Sequence, residues 1–224
     1  MLETLQENFF NLDVAWRYLP SIGSGMVVTI QLAFVIVITG LALGLALAFL
    51  RALQLKLLAF PIIIFADIFR ALPPLIVMII FYFAGPFVGV KMSGFVATWL
   101  ALSLSLAAFA EEIFWAGILS VNRGQWEAAR SSGLTYSQTL FNVVLPQAVR
   151  LTLPPLTNRT IAITKMTALA SVVAVEEILA NAATAQAYSA NTTPLTMAAI
   201  AYLIIFAPLV ALSRWIERRY AWKH

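Results

Sequence analysis

The 224-residue chain has no cysteine, and its one histidine, His224, is the last residue. The first absence excludes disulfides and thiolate metal sites. The second removes the usual imidazole ligand and general base, so no metal site and no catalytic residue is expected. Charge is equally scarce. Charged residues make up 11% and apolar ones 62%, against about 25% and 45–50% in a soluble domain. A chain this small has no core large enough to hide that much apolar surface, so lipid is its solvent. The sequence also lacks G-x-x-x-x-G-K-[ST], so any ATP hydrolysis belongs to another chain. The first twenty residues carry Glu3, Glu7 and Asp13 and no basic n-region. They are expected to be a retained, surface-lying extracytoplasmic segment over 1–20 rather than a cleaved leader.

What is present is a set of long apolar runs. Mean hydropathy is +0.90, and Met26 to Leu50 is uncharged throughout, enough helix to exceed the ~30 Å hydrocarbon layer. Within it, Gly40-x-x-x-Gly44 makes a small-residue packing face. Further runs cover Leu57 to Ala84, Ser93 to Leu119 and Leu195 to Leu212. Thr152 to Ala180 is expected to be a span broken at Pro154-Pro155. The result is an all-α integral membrane bundle of five spans forming one domain, 1–224.

The net charge of +4 does not indicate nucleic-acid binding, because the basic residues flank apolar runs instead of forming a patch. An N-out, C-in arrangement puts Arg51, Lys56, Arg123, Arg130, Arg150, Arg214, Arg218, Arg219 and Lys223 on the cytoplasmic side, against Arg17 and Lys91 outside. Arg70, Arg159 and Lys165 lie within spans.

The longest polar stretch, 121–147, then faces the cytoplasm. Gln125–Arg130 favours helix, Ser131-Ser132-Gly133 supplies a stop, and Thr135 with Gln138 forms a capping box opening a second helix. Glu127, Ala128 and Ala129 make a slim knob suited to a partner's groove, with Gly133 and Leu134 behind it. The alternative is a helical hairpin lying on the bilayer.

Glu127-Ala128-Ala129, then Gly133, Val143 and Leu145-Pro146, reproduce the spacing of the EAA loop of ABC importer permeases. Flanking segments make the chain resemble the permeases of polar-amino-acid importers, of the histidine/glutamine type. Asp67-Ile68-Phe69-Arg70-Ala71-Leu72-Pro73-Pro74-Leu75 is similar to that group's E-x-x-R-G-T-P-L, altered at Ala71 and Pro74, Glu112-Ile113-Phe114-Trp115-Ala116-Gly117-Ile118 to E-I-x-R-G-G-I, and Lys165-Met166-Thr167-Ala168-Leu169 to K-D-T-S-L. The resemblance implies a type I importer permease bundle with a cytoplasmic coupling helix, in the bacterial inner membrane. It also implies ABC ATPase subunits that bind ATP and Mg, a second permease subunit, identical or homologous, and an extracytoplasmic solute-binding protein. The solute would be a polar amino acid or derivative, moved by alternating access. Trp115 stands where the group has arginine, and Met166 and Ala168 where it has aspartate and serine. These departures imply a zwitterionic or amine-bearing solute with a sizeable apolar part.

Ionisable groups inside a span are costly unless they are paired or wet, so each is a pathway candidate. Asp67 and Arg70, at i,i+3, make a local ion pair or contact solute. Of Glu111 and Glu112, about 100° apart on one helix, one is expected inside and the other to snorkel. Donors near the fourth-span break, Asn158, Arg159, Thr160, Thr164, Lys165 and Thr167, are suited to a carboxylate, with Lys165 the first choice; the alternative is that Lys165 and Arg159 are interfacial anchors. Glu176 and Glu177 meet a solute amine or a delivery protein, or are hydrated. An ion-coupled secondary carrier is the alternative function, disfavoured by five spans without an internal repeat. An intramembrane enzyme lacks a nucleophile–base pair.

Overall fold

The computed structural model describes residues 2–53 and 55–220; Lys223 and His224 lie outside them. Helices dominate: α1 (Leu2–Phe9), α2 (Leu12–Ala52), α3 (Lys56–Ala71), α4 (Pro74–Ile79), α5 (Gly94–Ser120), α6 (Arg123–Ser131), α7 (Tyr136–Thr139), α8 (Leu145–Lys165), α9 (Ile178–Ser189) and α10 (Thr193–Tyr220). Among the described residues there is no strand. Glu3–Ala52, Gly94–Ser120 and Thr193–Tyr220 are long and apolar enough to cross a membrane, and the bent pair Lys56–Ala71 with Pro74–Val88 adds a fourth when taken as one span.

Two expectations about boundaries change. The helix that carries the first apolar run, α2, does not begin at Met26 but at Leu12, so the end of the 1–20 segment is continuous with the span. Nor does Pro154-Pro155 break α8, which runs unbroken to Lys165. A proline's φ of about −65° is itself helical, and membrane helices tolerate its missing donor. The break falls later, where the chain tightens into a 3-10 segment, Met166–Val173, that ends at left-handed Ala174 (φ 59°).

The chain forms two compact units. One comprises the N-terminal part to Ile36, Leu75–Leu102 and Ile163–Val210; the other comprises Val37–Pro74, Ser103–Ala162 and the part from Ala211. In the first, Ile22, Ile178, Ala182, Ala198 and Ala201 form a buried cluster. Beside it the buried Glu177 caps α9 by accepting from the Ala180 N–H at 2.8 Å, and it accepts the Tyr202 hydroxyl.

In the second unit, Ala48, Ala110, Phe114 and Leu156 pack together. The glycine face works as its spacing predicts: a Cβ on Gly44 would lie 2.6 Å from Ala110 Cβ and 2.8 Å from the Ala107 carbonyl, so only glycine allows this approach of α2 to α5. A second cluster, Ala52, Ile118, Val121, Leu140, Val144 and Ala148, carries the polar loop.

Candidate functional site

The loop 121–147 folds as its sequence predicts. Asn122 caps α6 by accepting from the Gly124 N–H at 2.7 Å. The helix ends in a paired closure: the Gly133 N–H donates to the Arg130 carbonyl at 3.0 Å and the Leu134 N–H to that of Ala129 at 3.3 Å. Gly133 has φ +88°, the left-handed conformation such a closure requires. The capping box is complete, with the Gln138 N–H donating to Thr135 Oγ1 and the Thr135 N–H to Gln138 Oε1. A π-helical turn, Leu140–Val144, then leads into Leu145-Pro146.

The helical pair is fixed to the body of its unit. Trp126 stacks on Tyr136 with ring centroids 5.2 Å apart, and the Tyr136 hydroxyl donates to the Ala52 carbonyl at 2.8 Å. Glu127 and Ala128 are exposed, as is Gly133, and Leu134 is half-buried. Ala129 differs from expectation. It is buried, because its position on α6 faces inward, so it supports the knob from beneath instead of forming its surface.

A charged cluster occupies the same unit. Glu111, wholly buried on α5, accepts from Arg51 Nη1 at 3.0 and 3.3 Å. Its neighbour Glu112 accepts from Arg70 at 3.2 Å and from Arg51 at 3.5 Å. Of the two glutamates, then, one is inside and the other half-exposed. Asp67 and Arg70 do meet, but at 3.9 Å, and the Asp67 side chain is 68% exposed. The closer partner of Arg70 is Glu112, which the sequence places forty-two residues away.

The Arg51 guanidinium also lies over Trp115, 4.6 Å from the ring centroid. That contact gives Trp115 a neighbour within its own unit. Asp67, Arg70, Glu112 and Trp115 are therefore brought together, through Arg51 and Glu111. Arg51 read as a topology signal at the end of a run, and nothing in its local pattern pointed to α5.

Asn158 stands apart from that cluster. It donates to Glu217 at 2.7 Å and accepts from Ser213 at 2.9 Å, tying α8 to α10. Lys165, Thr167 and Glu176 belong to the other unit. Lys165 is exposed in the last turn of α8, Thr167 is buried and donates to the Thr164 carbonyl at 2.8 Å, and Glu176 is exposed. Among the described residues, no group of side chains is arranged to hold a metal ion.

The pattern of the family described as "Binding-protein-dependent transport system inner membrane component" matches residues 40–222. The chain is 36% identical over 183 residues to the probable amino-acid ABC transporter permease protein YckA of Bacillus subtilis (strain 168), covering 81% of each chain. It is 35% identical over 207 residues to that organism's probable glutamine ABC transporter permease protein GlnP, covering 91% of this chain and 95% of the relative. A crystal structure of an amino acid ABC transporter with histidines superposes with a TM-score of 0.83 at 29% identity, over 91% of this chain and 95% of that one. The exposed, doubly capped helix and the apolar helices that carry it are thus those of a multi-pass inner-membrane permease, and the chain belongs to the family of binding-protein-dependent transport system inner membrane components.

Proposed function

We propose that this chain is the permease subunit of an ATP-driven importer that brings a polar amino acid, or a solute like one, into the cytoplasm by alternating access. The observation that carries the proposal is the α6 knob: Glu127 and Ala128 project from a helix closed at both ends and anchored by Tyr136 to Ala52. A short helix held so firmly passes on a push instead of absorbing it. Glu127, Ala128, Ala129, Gly133 and Leu134 form the coupling element for a partner ATPase, which binds ATP and Mg. Five spans with the N-terminus outside bring this loop to the cytoplasm. A second permease subunit and an extracytoplasmic solute-binding protein complete the transporter.

Solute contacts are proposed at Asp67, Arg70, Glu112 and Trp115 in the charged cluster, at Asn158, and, on the other unit, at Lys165, Thr167 and Glu176. The amino-acid class is supported by the named activities of the relatives that this chain matches over most of its length.

Co-expression with a partner ATPase and a solute-binding protein, followed by reconstitution, tests this reading. Uptake of radiolabelled L-glutamine, L-arginine or L-cystine that requires ATP and the binding protein is expected. Uptake by the chain alone, driven by an ion gradient, would instead favour a secondary carrier.

A further inference from the structure

Within the second unit, acids and arginines do not pair off evenly. Glu111 is held by Arg51, and Glu112 by Arg70 and Arg51. Arg159, on α8, forms no ion pair and no hydrogen bond among the described residues. Its guanidinium instead lies on the face of Phe109, 3.8 Å from the ring centroid. Arg70 sits 6.0 Å from the centroid of the same ring.

Stacking satisfies the flat face of a guanidinium but none of its five N–H donors, which lie in the plane and point outward. A guanidinium whose donor edge has no protein partner is compensated by water or by a ligand. The polar side chain next to it, Asn158, is already engaged by Glu217 and Ser213. Arg159 is half-buried, so its donor edge is reachable. Lys165, in the last turn of the same helix, is favoured there by the helix dipole.

We infer that Arg159, held flat by Phe109, is the receptor for a carboxylate of the transported solute. This rests on the importer reading above and deepens it. The fork of donors matches a carboxylate in a two-point contact, and the aromatic shelf fixes the plane in which that contact forms. Charge balance favours a zwitterion over a dianion. Among the charged groups around Phe109, Arg159 is the cation with no ion pair, and Asp67, 3.9 Å from Arg70 and mostly exposed, is the acid held least closely. A neutral solute with separated charges leaves the cluster's total unchanged.

The test is equilibrium binding to the purified permease–ATPase complex in lipid nanodiscs without the binding protein, so that only the permease selects. The probes are radiolabelled L-glutamine, L-arginine and L-cystine, each compared with its carboxamide, which lacks the carboxylate charge. At least one acid should bind, and more tightly than its amide. Arg159→Gln should weaken the acid by about tenfold to a hundredfold, the range of a charge-assisted hydrogen bond, and bring acid and amide to equal affinity. Arg159→Lys should fall between, since it keeps the charge and loses the fork. Elution of the variants with their ATPase, as for wild type, shows that they fold.

Wild-type acid affinity in Arg159→Gln, or discrimination against the amide that survives, overturns the assignment while leaving the importer reading intact. Failure of the wild-type complex to bind any of the three acids overturns the assignment, and the importer reading is then decided by the uptake assay above. Phosphatidylcholine discs are compared with discs containing phosphatidylglycerol. A loss seen only in the anionic lipid means that Arg159 holds a net anionic lipid headgroup, and the assignment fails.

Discussion

Arg51 and Glu111 lie sixty positions apart in the chain, and Nη1 of the first stands 3.0 Å from the wholly buried carboxylate of the second. The pair joins the last turn of α2 to α5. Removing one partner of a buried pair strands the other, a change worth about 3–5 kcal/mol. Arg51→Ala should therefore lower the unfolding temperature markedly, as should Glu111→Ala. The double variant should recover part of the loss. Strict additivity in a double-mutant cycle would show that the two do not interact.

Gly133 is exposed and a Cβ there would meet nothing within 4 Å, so its requirement for glycine comes from its φ of +88° alone. A β-branched residue is an outlier in that region, at a cost of about 1–2 kcal/mol, whereas asparagine enters it readily. Gly133→Val is expected to loosen the closure of α6 and to abolish solute-stimulated ATP hydrolysis while the chain still inserts. Gly133→Asn should retain most of that activity. Equal rates in the two variants would detach the turn from coupling.

Ala128 and Ala129 are adjacent, but one is exposed and the other buried. Bulk should act differently at each. Ala128→Trp is expected to leave thermal stability within about 0.5 kcal/mol of wild type, as for a surface change, and to prevent the ATPase from co-purifying. Ala129→Trp should destabilise the chain by about 1–3 kcal/mol through overpacking. An Ala128→Trp permease that keeps its ATPase would move the docking face elsewhere.

On α2, Gly44 meets α5 at contact distance and Gly23 has open space around it. Gly44→Ala should cost about 1–3 kcal/mol. Gly23→Ala should be neutral or stabilising by up to about 1 kcal/mol, because alanine is the better helix former. Melting temperatures of the purified variants decide the matter, and a stable Gly44→Ala would mean that α2 and α5 can separate freely.

Because the chain has no cysteine, single introduced thiols report topology directly. With the N-terminus outside, an impermeant maleimide applied to intact cells is expected to label Lys91→Cys and to spare Ser120→Cys. The reverse pattern would invert the chain and remove the coupling loop from the cytoplasm.

Local features were legible in the sequence to the residue. The Thr135–Gln138 capping box and the Gly133 stop depend on contacts within a few positions, and they form as their spacing predicts. Less legible was what distant segments do to one another. Asp67 and Arg70 read as partners because they are helix neighbours, yet Glu112 competes for Arg70 from another helix at shorter range. Arg159 read as one donor among several near a break. Its distinction from the rest comes from Phe109, fifty positions earlier, and from Asn158 being taken by Glu217. The proline pair misled for a different reason. Proline forbids a donor, not a helical backbone, so its effect depends on surroundings that a linear pattern does not contain.

The eight-residue 3-10 segment Met166–Val173 has a further property. At about 2.0 Å per residue it extends ~16 Å, where the same residues wound as α-helix would extend ~12 Å. Rewinding it changes its length by about 4 Å while every residue but the terminal ones keeps a hydrogen-bonded backbone. A change of winding there would therefore alter the reach of the chain between α8 and α9 without unfolding it.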